Sequence, residues 1–168
     1  SRLCTARERR SRALMLAGSA TAPTAVTALD LKTLAWTSIS DAATSEIDAT
    51  YFSVPRAIAF PTTGGAISHA LYYPPASRDY SAPEGNRPPL IVRSHGGPTS
   101  AANAAFSMGI QYFTSRGFAF VDVNYGGSSG YGRAYRERLK GQWGVVDVDD
   151  CINAAKYLVS QGLADENK

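Results

Sequence analysis

Apolar residues come in short runs through the first half of the chain and in longer blocks through the second. Ala13–Gly18 reads as a short strand. Ala25–Leu31 and Leu34–Ile39 flank a turn at Lys32-Thr33, so the three runs predict a small antiparallel meander. Asp41–Asp48 is polar and linker-like. Val54–Pro61 and Ala66–Tyr73 bracket Thr62-Thr-Gly-Gly65, the spacing of a hairpin whose turn uses the paired glycines. Ala76–Pro89, rich in Pro, Ser, Gly and charge, predicts a surface loop. Leu90–Arg93 is a short apolar run that stops at two glycines and a proline, a buried strand entering a tight loop. Ala101–Arg116 predicts a helix, with Ala102, Ala105, Phe106, Ile110 and Phe113 at helical spacing, Gly109 weakening it and Gly117 as its C-terminal cap. Phe118–Val123 is nearly all apolar and suits a parallel strand covered on both faces. A glycine-rich loop, Gly126–Gly132, and a short helix over Ala134–Lys140 come next. The last element is a helix over Val145–Gln161, with Val148, Ile152, Ala155 and Val159 along one face, joined by Cys151 and Leu158, and Gly162 as its cap.

Strand, helix and strand from 90 to 123 form one parallel crossover unit, which makes the second half of the chain α/β. Charge adds little. The chain carries +3 in all, but Arg2, Arg7, Arg9, Arg10 and Arg12 against Glu8 put +4 on the first twelve residues, leaving −1 on the rest. That is a solvated basic start rather than a nucleic-acid-binding face. Cys4 and Cys151 sit in unrelated contexts and suggest neither a disulfide framework nor a metal site. Reduced thiols point to a cytoplasmic setting. No apolar run approaches a membrane-spanning length, and Ala13–Ala17 is too short for a signal-peptide core.

The chemistry-bearing stretch is His95-Gly96-Gly97-Pro98. Glycines lack a Cβ, so another group can approach their N–H bonds closely. In α/β-hydrolases an N–H from the loop after the third strand helps to form the oxyanion hole, and His-Gly-Gly is one form of that loop. The plainer reading is a strand ending in a turn.

From Leu90 onward the chain resembles the prolyl oligopeptidase family of serine peptidases, in its dipeptidyl aminopeptidase and acylaminoacyl-peptidase branch. The residues that carry the resemblance are His95–Pro98, Ser115-Arg-Gly-Phe-Ala119, Val121-Asp-Val-Asn-Tyr125, Gly130-Tyr-Gly-Arg-Ala-Tyr135 and Trp143-Gly-Val-Val-Asp-Val-Asp-Asp-Cys151. The resemblance implies an α/β fold made of the N-terminal part of an α/β-hydrolase sheet, preceded by a short antiparallel remnant of a β-propeller. Residues 1–12 are then a basic disordered start, 13–50 the remnant of a last blade with its linker, and 51–168 the incomplete N-terminal half of the catalytic domain. A lone blade cannot bury its apolar faces. The implied activity is peptide-bond hydrolysis through an acyl-enzyme, with no cofactor, no metal and a peptide as partner, and without nucleic acid or membrane. By resemblance the Gly97 N–H is an oxyanion donor and Gly96 shapes the turn. Beginning with Ser and stopping at Lys168, the chain reads as a piece of a longer protein whose nucleophile follows residue 168 and which is inactive alone. Alternatives are an esterase or lipase of the same fold, or a non-catalytic interaction module.

Gly126-Gly-Ser128-Ser-Gly130 spells the G-x-S-x-G of a nucleophile elbow. Against Ser128, the triad order of this fold is Ser, acid, His, yet the only histidines, His69 and His95, precede it. The elbow also belongs one strand further on. The resemblance implies Arg at the position of Gly126, so ligand contacts of that loop do not carry over. His95 is expected to fix its loop by local packing or hydrogen bonding, and His69 to be structural or exposed. Asp147, Asp149 and Asp150 complement the helix dipole. Tyr125, Tyr131 and Tyr135 either line a substrate pocket or pack the loop.

Overall fold

A computed structural model describes residues 3–4, 11–41 and 47–168, and the chain divides into two units. The first comprises residues up to Ala49 together with Ala104–Ser107. The second comprises Thr50–Asn103 and Met108–Lys168. The rest of the basic start, residues 1–2 and 5–10, and linker residues 42–46 lie outside the described residues.

The first unit is an antiparallel meander in the order β1 (Leu3–Cys4), β2 (Arg12–Ala17), β3 (Ala25–Asp30) and β4 (Trp36–Asp41). Leu3–Cys4 pairs with Met15 and Leu14, so strand structure reaches into the segment expected to lack it. β4 starts two residues later than the apolar pattern indicates. The Asp30 carboxylate accepts the N–H groups of Lys32 (2.8 Å) and Thr33 (3.0 Å), which winds the turn tightly and leaves Leu34 in it at φ +57°. Those two bonds hold the Asp30 carboxyl below its ordinary pKa. Leu16, Trp36 and Ile39 stay exposed, while Ala28 is buried.

The second unit is a four-stranded sheet in the order β5 (Arg56–Pro61), β6 (Ile67–Tyr73), β8 (Ala119–Asn124), β7 (Leu90–Ser94). β5, β6 and β8 are antiparallel neighbours, and β7 runs parallel to β8. The β5–β6 turn uses Gly64 and Gly65 at positive φ, with the Thr62 N–H donating to the Ala66 carbonyl. All six residues of β8 are buried, as a near-continuous apolar run requires. Its side chains alternate between two cores. Ala119, Val121 and Val123 join Phe60, Ala70 and Tyr72 beneath helix α3 (Val146–Ser160). Phe120 joins Tyr73 and Ile110 beneath helix α1 (Met108–Thr114).

α1 is shorter than the Ala101–Arg116 helix that the spacing indicates. The Ala102 backbone is bound by both ends of the Asn124 side-chain amide (2.8 and 3.3 Å), which satisfies it outside a helix. Both expected glycine caps are present. Gly117 (φ +90°) donates to Thr114 while Phe118 donates to Phe113. Gly162 (φ +67°) donates to Val159 while Leu163 donates to Leu158. Each pair of bonds is a Schellman motif. The short helix α2 (Arg133–Glu137) stops earlier than expected, in turns through Leu139 and Gln142.

The inward stripe of α3 is Asp150, Ala154 and Leu158, not the expected Val148 and Ile152, which are each 47% exposed. Leu158 is fully buried. Leu158→Ala is expected to cost about 2–5 kcal/mol of unfolding free energy, the usual range for a core leucine, measured by urea denaturation of the purified chain. A loss below 1 kcal/mol would place α3 elsewhere.

Candidate active site

β7 and β8 are parallel, so the loops that leave their carboxyl ends emerge side by side, where open α/β sheets bind ligands. Register stops at Ser94 opposite Val123, and His95-Gly96-Gly97-Pro98 follows. Gly97 has φ +67° and its carbonyl accepts the Ser100 N–H at 2.9 Å, so the loop turns back at once. Gly96 and Gly97 are exposed. Their N–H groups donate to nothing among the described residues. Space beside Gly96 is open, since a Cβ there would meet no atom within 4 Å. Two free amides at a strand's carboxyl end can donate to an oxygen of another molecule.

Hydrogen bonds and a ring stack join this loop to residues 125–132. The Ser129 N–H donates to the Ser100 carbonyl (2.8 Å), and its hydroxyl donates to the Thr99 carbonyl. The Tyr125 hydroxyl donates to the His95 carbonyl (3.1 Å), and its ring stacks on the imidazole with centroids 4.5 Å apart. Finally, His95 Nε2 lies 2.7 Å from Ser128 Oγ.

That last pair resembles a base and its nucleophile, but its polarity is reversed. The Ser128 hydroxyl already donates to the Tyr125 carbonyl at 2.8 Å. The tautomer that satisfies both groups therefore has Nε2–H donating to the serine oxygen. Ser128 is also fully buried. His95 serves as a clamp between the two loops, the local role expected of it. Burial, and then the Asp150 carboxylate, push the Cys151 thiol pKa up to about 11, which disfavours its thiolate.

The tyrosines divide. Tyr125 is buried in the clamp, and Tyr135 is buried with its hydroxyl on the Asn124 carbonyl (2.5 Å) and beside Ser68 Oγ (2.7 Å). Tyr131 is 38% exposed, accepts the Asn124 side-chain amide (3.0 Å) and stacks on His69 at 4.2 Å. Burial, and then the Arg138 charge, hold the His69 imidazole below its ordinary pKa.

Asp150 is the residue that the sequence undersold. Its buried carboxylate accepts the Gly126 N–H (2.7 Å), Ser68 Oγ (2.9 Å) and Thr62 Oγ1 (2.6 Å), with Arg138 Nη2 3.7 Å away. Asp147 and Asp149 instead receive the Gly144 N–H and the Thr63 hydroxyl at the surface. Only the four-residue spacing from Asp150 to Ala154 and Leu158 marked it as inward-facing. Among the described residues, no group of three His, Cys, Asp or Glu could hold a metal ion.

Gly126 departs from the arginine that the resemblance implies, and the structure supplies a reason. A Cβ there would lie 2.8 Å from Val146 Cγ1 and 3.0 Å from Arg138 Nε. The Arg138 guanidinium occupies this space, donates to the Ile67 carbonyl (2.8 Å) and lies over the Tyr135 ring.

Residues 104–168 match the model of the prolyl oligopeptidase family. This stretch resembles that family. Two curated relatives extend the similarity. An acylamino-acid-releasing enzyme of Arabidopsis thaliana is 37% identical over 92 residues, which is 55% of this chain and 12% of that protein. Dipeptidyl aminopeptidase BIII of Pseudoxanthomonas mexicana is 31% identical over 80 residues, 48% of this chain and 12% of its own. Among solved structures, a Mycobacterium tuberculosis puromycin-hydrolyzing peptidase superposes with TM-score 0.89 and 42% identity, covering 92% of this chain and 24% of that one. A puromycin hydrolase gives TM-score 0.86 and 45% identity, covering 92% and 23%. The chain thus spans about an eighth of these curated relatives and about a quarter of the solved chains.

Replacing Gly126 tests the Arg138 arrangement. Gly126→Arg is expected to cost about 1–3 kcal/mol by overpacking. In the Gly126→Arg, Arg138→Ala double variant, the loss measured by urea denaturation should fall short of the sum of the single losses by about 0.5 kcal/mol or more. Strict additivity would mean that the two positions do not share the space.

Proposed function

We propose that the protein containing this chain is a serine-type peptidase that hydrolyses peptide bonds of oligopeptides through an acyl-enzyme, in the manner of an aminopeptidase or acylaminoacyl-peptidase. In this reading, residues 51–168 are the N-terminal part of an α/β-hydrolase domain, and the meander before them is the remnant of a propeller blade. The Gly97 N–H donates to the negative oxygen that develops on the scissile carbonyl, and Gly96 lets that carbonyl approach. One such donor is worth about 3 kcal/mol of transition-state stabilisation. The observation that carries the reading is the pair of exposed, unbonded amides at the carboxyl end of β7, on a loop held in place by His95, Ser128 and Ser129. The family match and the similarity to puromycin-hydrolysing and acylamino-acid-releasing enzymes support it.

Nucleophile, acid and base are assigned to none of the residues here. Ser128 lies buried with its hydroxyl committed, and His95 donates to it rather than accepting from it. Without a triad, the loss in rate is about a million-fold where it has been dissected. The 168-residue chain alone is therefore expected to show no turnover of an aminoacyl-nitroanilide above buffer. Turnover that disappears in Ser128→Ala, with the far-UV circular dichroism unchanged, would overturn the assignment. An esterase or lipase of the same fold would instead favour an acyl-nitrophenyl ester over the anilide in the protein that contains this chain. A stop codon directly after residue 168 in the gene would support a non-catalytic module.

A further inference from the structure

Beside the glycine pair lies a groove of about 390 Å³ for which the proposed chemistry has no use so far. One wall is Pro98 and Thr99, the residues directly after Gly97. The other is formed by Leu139, Lys140 and Trp143, with Arg136 at one end. Pro98 directly follows Gly97, so the groove begins one residue along the chain from the proposed oxyanion donor.

The walls are fixed relative to each other. Ser129 bonds to the backbone of Thr99 and Ser100, and Gly127, on the same loop, carries Leu139 directly against it. A Cβ at Gly127 would fall 2.8 Å from Leu139 side-chain atoms. Leu139 is 7% exposed and forms an apolar floor. Trp143 stands at the rim with 65% of its surface exposed, between Gly141 and Gly144, both at positive φ. An indole in that setting is available to cover another apolar surface. Arg136 and Lys140 are exposed and have no ion-pair partner among the described residues. Glu137 lies between them, leaving one net positive charge.

We propose that this groove is a subsite for the leaving-group side of a short peptide substrate. Trp143 and Leu139 cover an apolar side chain, and Arg136 and Lys140 take the terminal carboxylate. The sign of the charge selects the direction. A peptide's carboxylate lies on the part that departs as the amine, whereas its ammonium end lies on the acyl part and is repelled here. This inference rests on the assignment of the Gly97 N–H as the oxyanion donor.

Binding tests the groove without turnover. Only Trp36 and Trp143 give indole N–H signals in a ¹H–¹⁵N spectrum, and Trp143→Phe assigns them. Titrating the 168-residue chain with the tripeptide Gly-Gly-Phe is expected to shift the Trp143 signal and leave Trp36 unmoved. The C-terminal amide of the same peptide should bind about tenfold more weakly, the loss of one charge-assisted contact. The Arg136→Gln, Lys140→Gln variant alters only exposed side chains and should bind acid and amide alike. Equal binding of acid and amide to the unaltered chain, or no shift of Trp143, overturns the groove while leaving the oxyanion assignment untouched. Acid-selective binding in a chain whose activity proves to reside in Ser128 would remove the oxyanion assignment and keep the groove as a carboxylate-selective peptide site.

Discussion

The carboxylate of Asp150 is the constraint on which the second unit's functional end depends. It lies in a nearly water-free position and takes hydrogen bonds from three elements: the β5–β6 turn through Thr62, β6 through Ser68, and the loop after β8 through the Gly126 amide. Arg138 brings a cation to the same group. Burying a carboxylate is expensive unless it is well paired, and removing a partner exposes that cost. The energetic consequence is local rigidity. α3 cannot shift along the sheet without breaking the bond that shapes the 126–132 loop, and that loop in turn holds the His95–Ser100 segment through Ser128 and Ser129. A single buried charge therefore connects helix position to the placement of two glycine amides more than twenty residues away in sequence.

Much of this arrangement was legible in the residues. Gly117 and Gly162 could be assigned as caps because only a residue without a Cβ closes a Schellman motif at low cost, and both do so. β8 could be read as a doubly covered strand because Phe118–Val123 leaves almost no polar face. What escaped is the part that depends on tertiary partners. The Ala101–Phe106 stretch has helical spacing, but Asn124 claims its backbone from a distance that no local pattern encodes. Val148 and Ile152 satisfy the helical period as well as Ala154 and Leu158 do, and the sheet selects the second pair because Asp150 must point inward with them. Among three nearby aspartates, composition cannot say which one is buried. At the candidate site, the glycine motif was readable and so was a clamping role for His95. The identity of its partner, and the direction of the proton between them, required the fold.

At Gly126, where the resemblance implies an arginine, the loop keeps its order around the Arg138 side chain. A guanidinium approaches the same loop from a different element, and the position that would have carried it is reduced to hydrogen because two large groups cannot share the space. The cation is still beside the Asp150 carboxylate, and it enters from the turn after α2.

β7 is the outermost strand of its sheet, and away from β8 its backbone offers a row of amides and carbonyls whose pairing begins only with the Leu90 N–H on the Lys168 carbonyl at 3.2 Å. Val92, in the middle of this row, is 38% exposed. Such a margin is an adhesive template for any extended polypeptide that meets it in register. The border is where an added strand would pair.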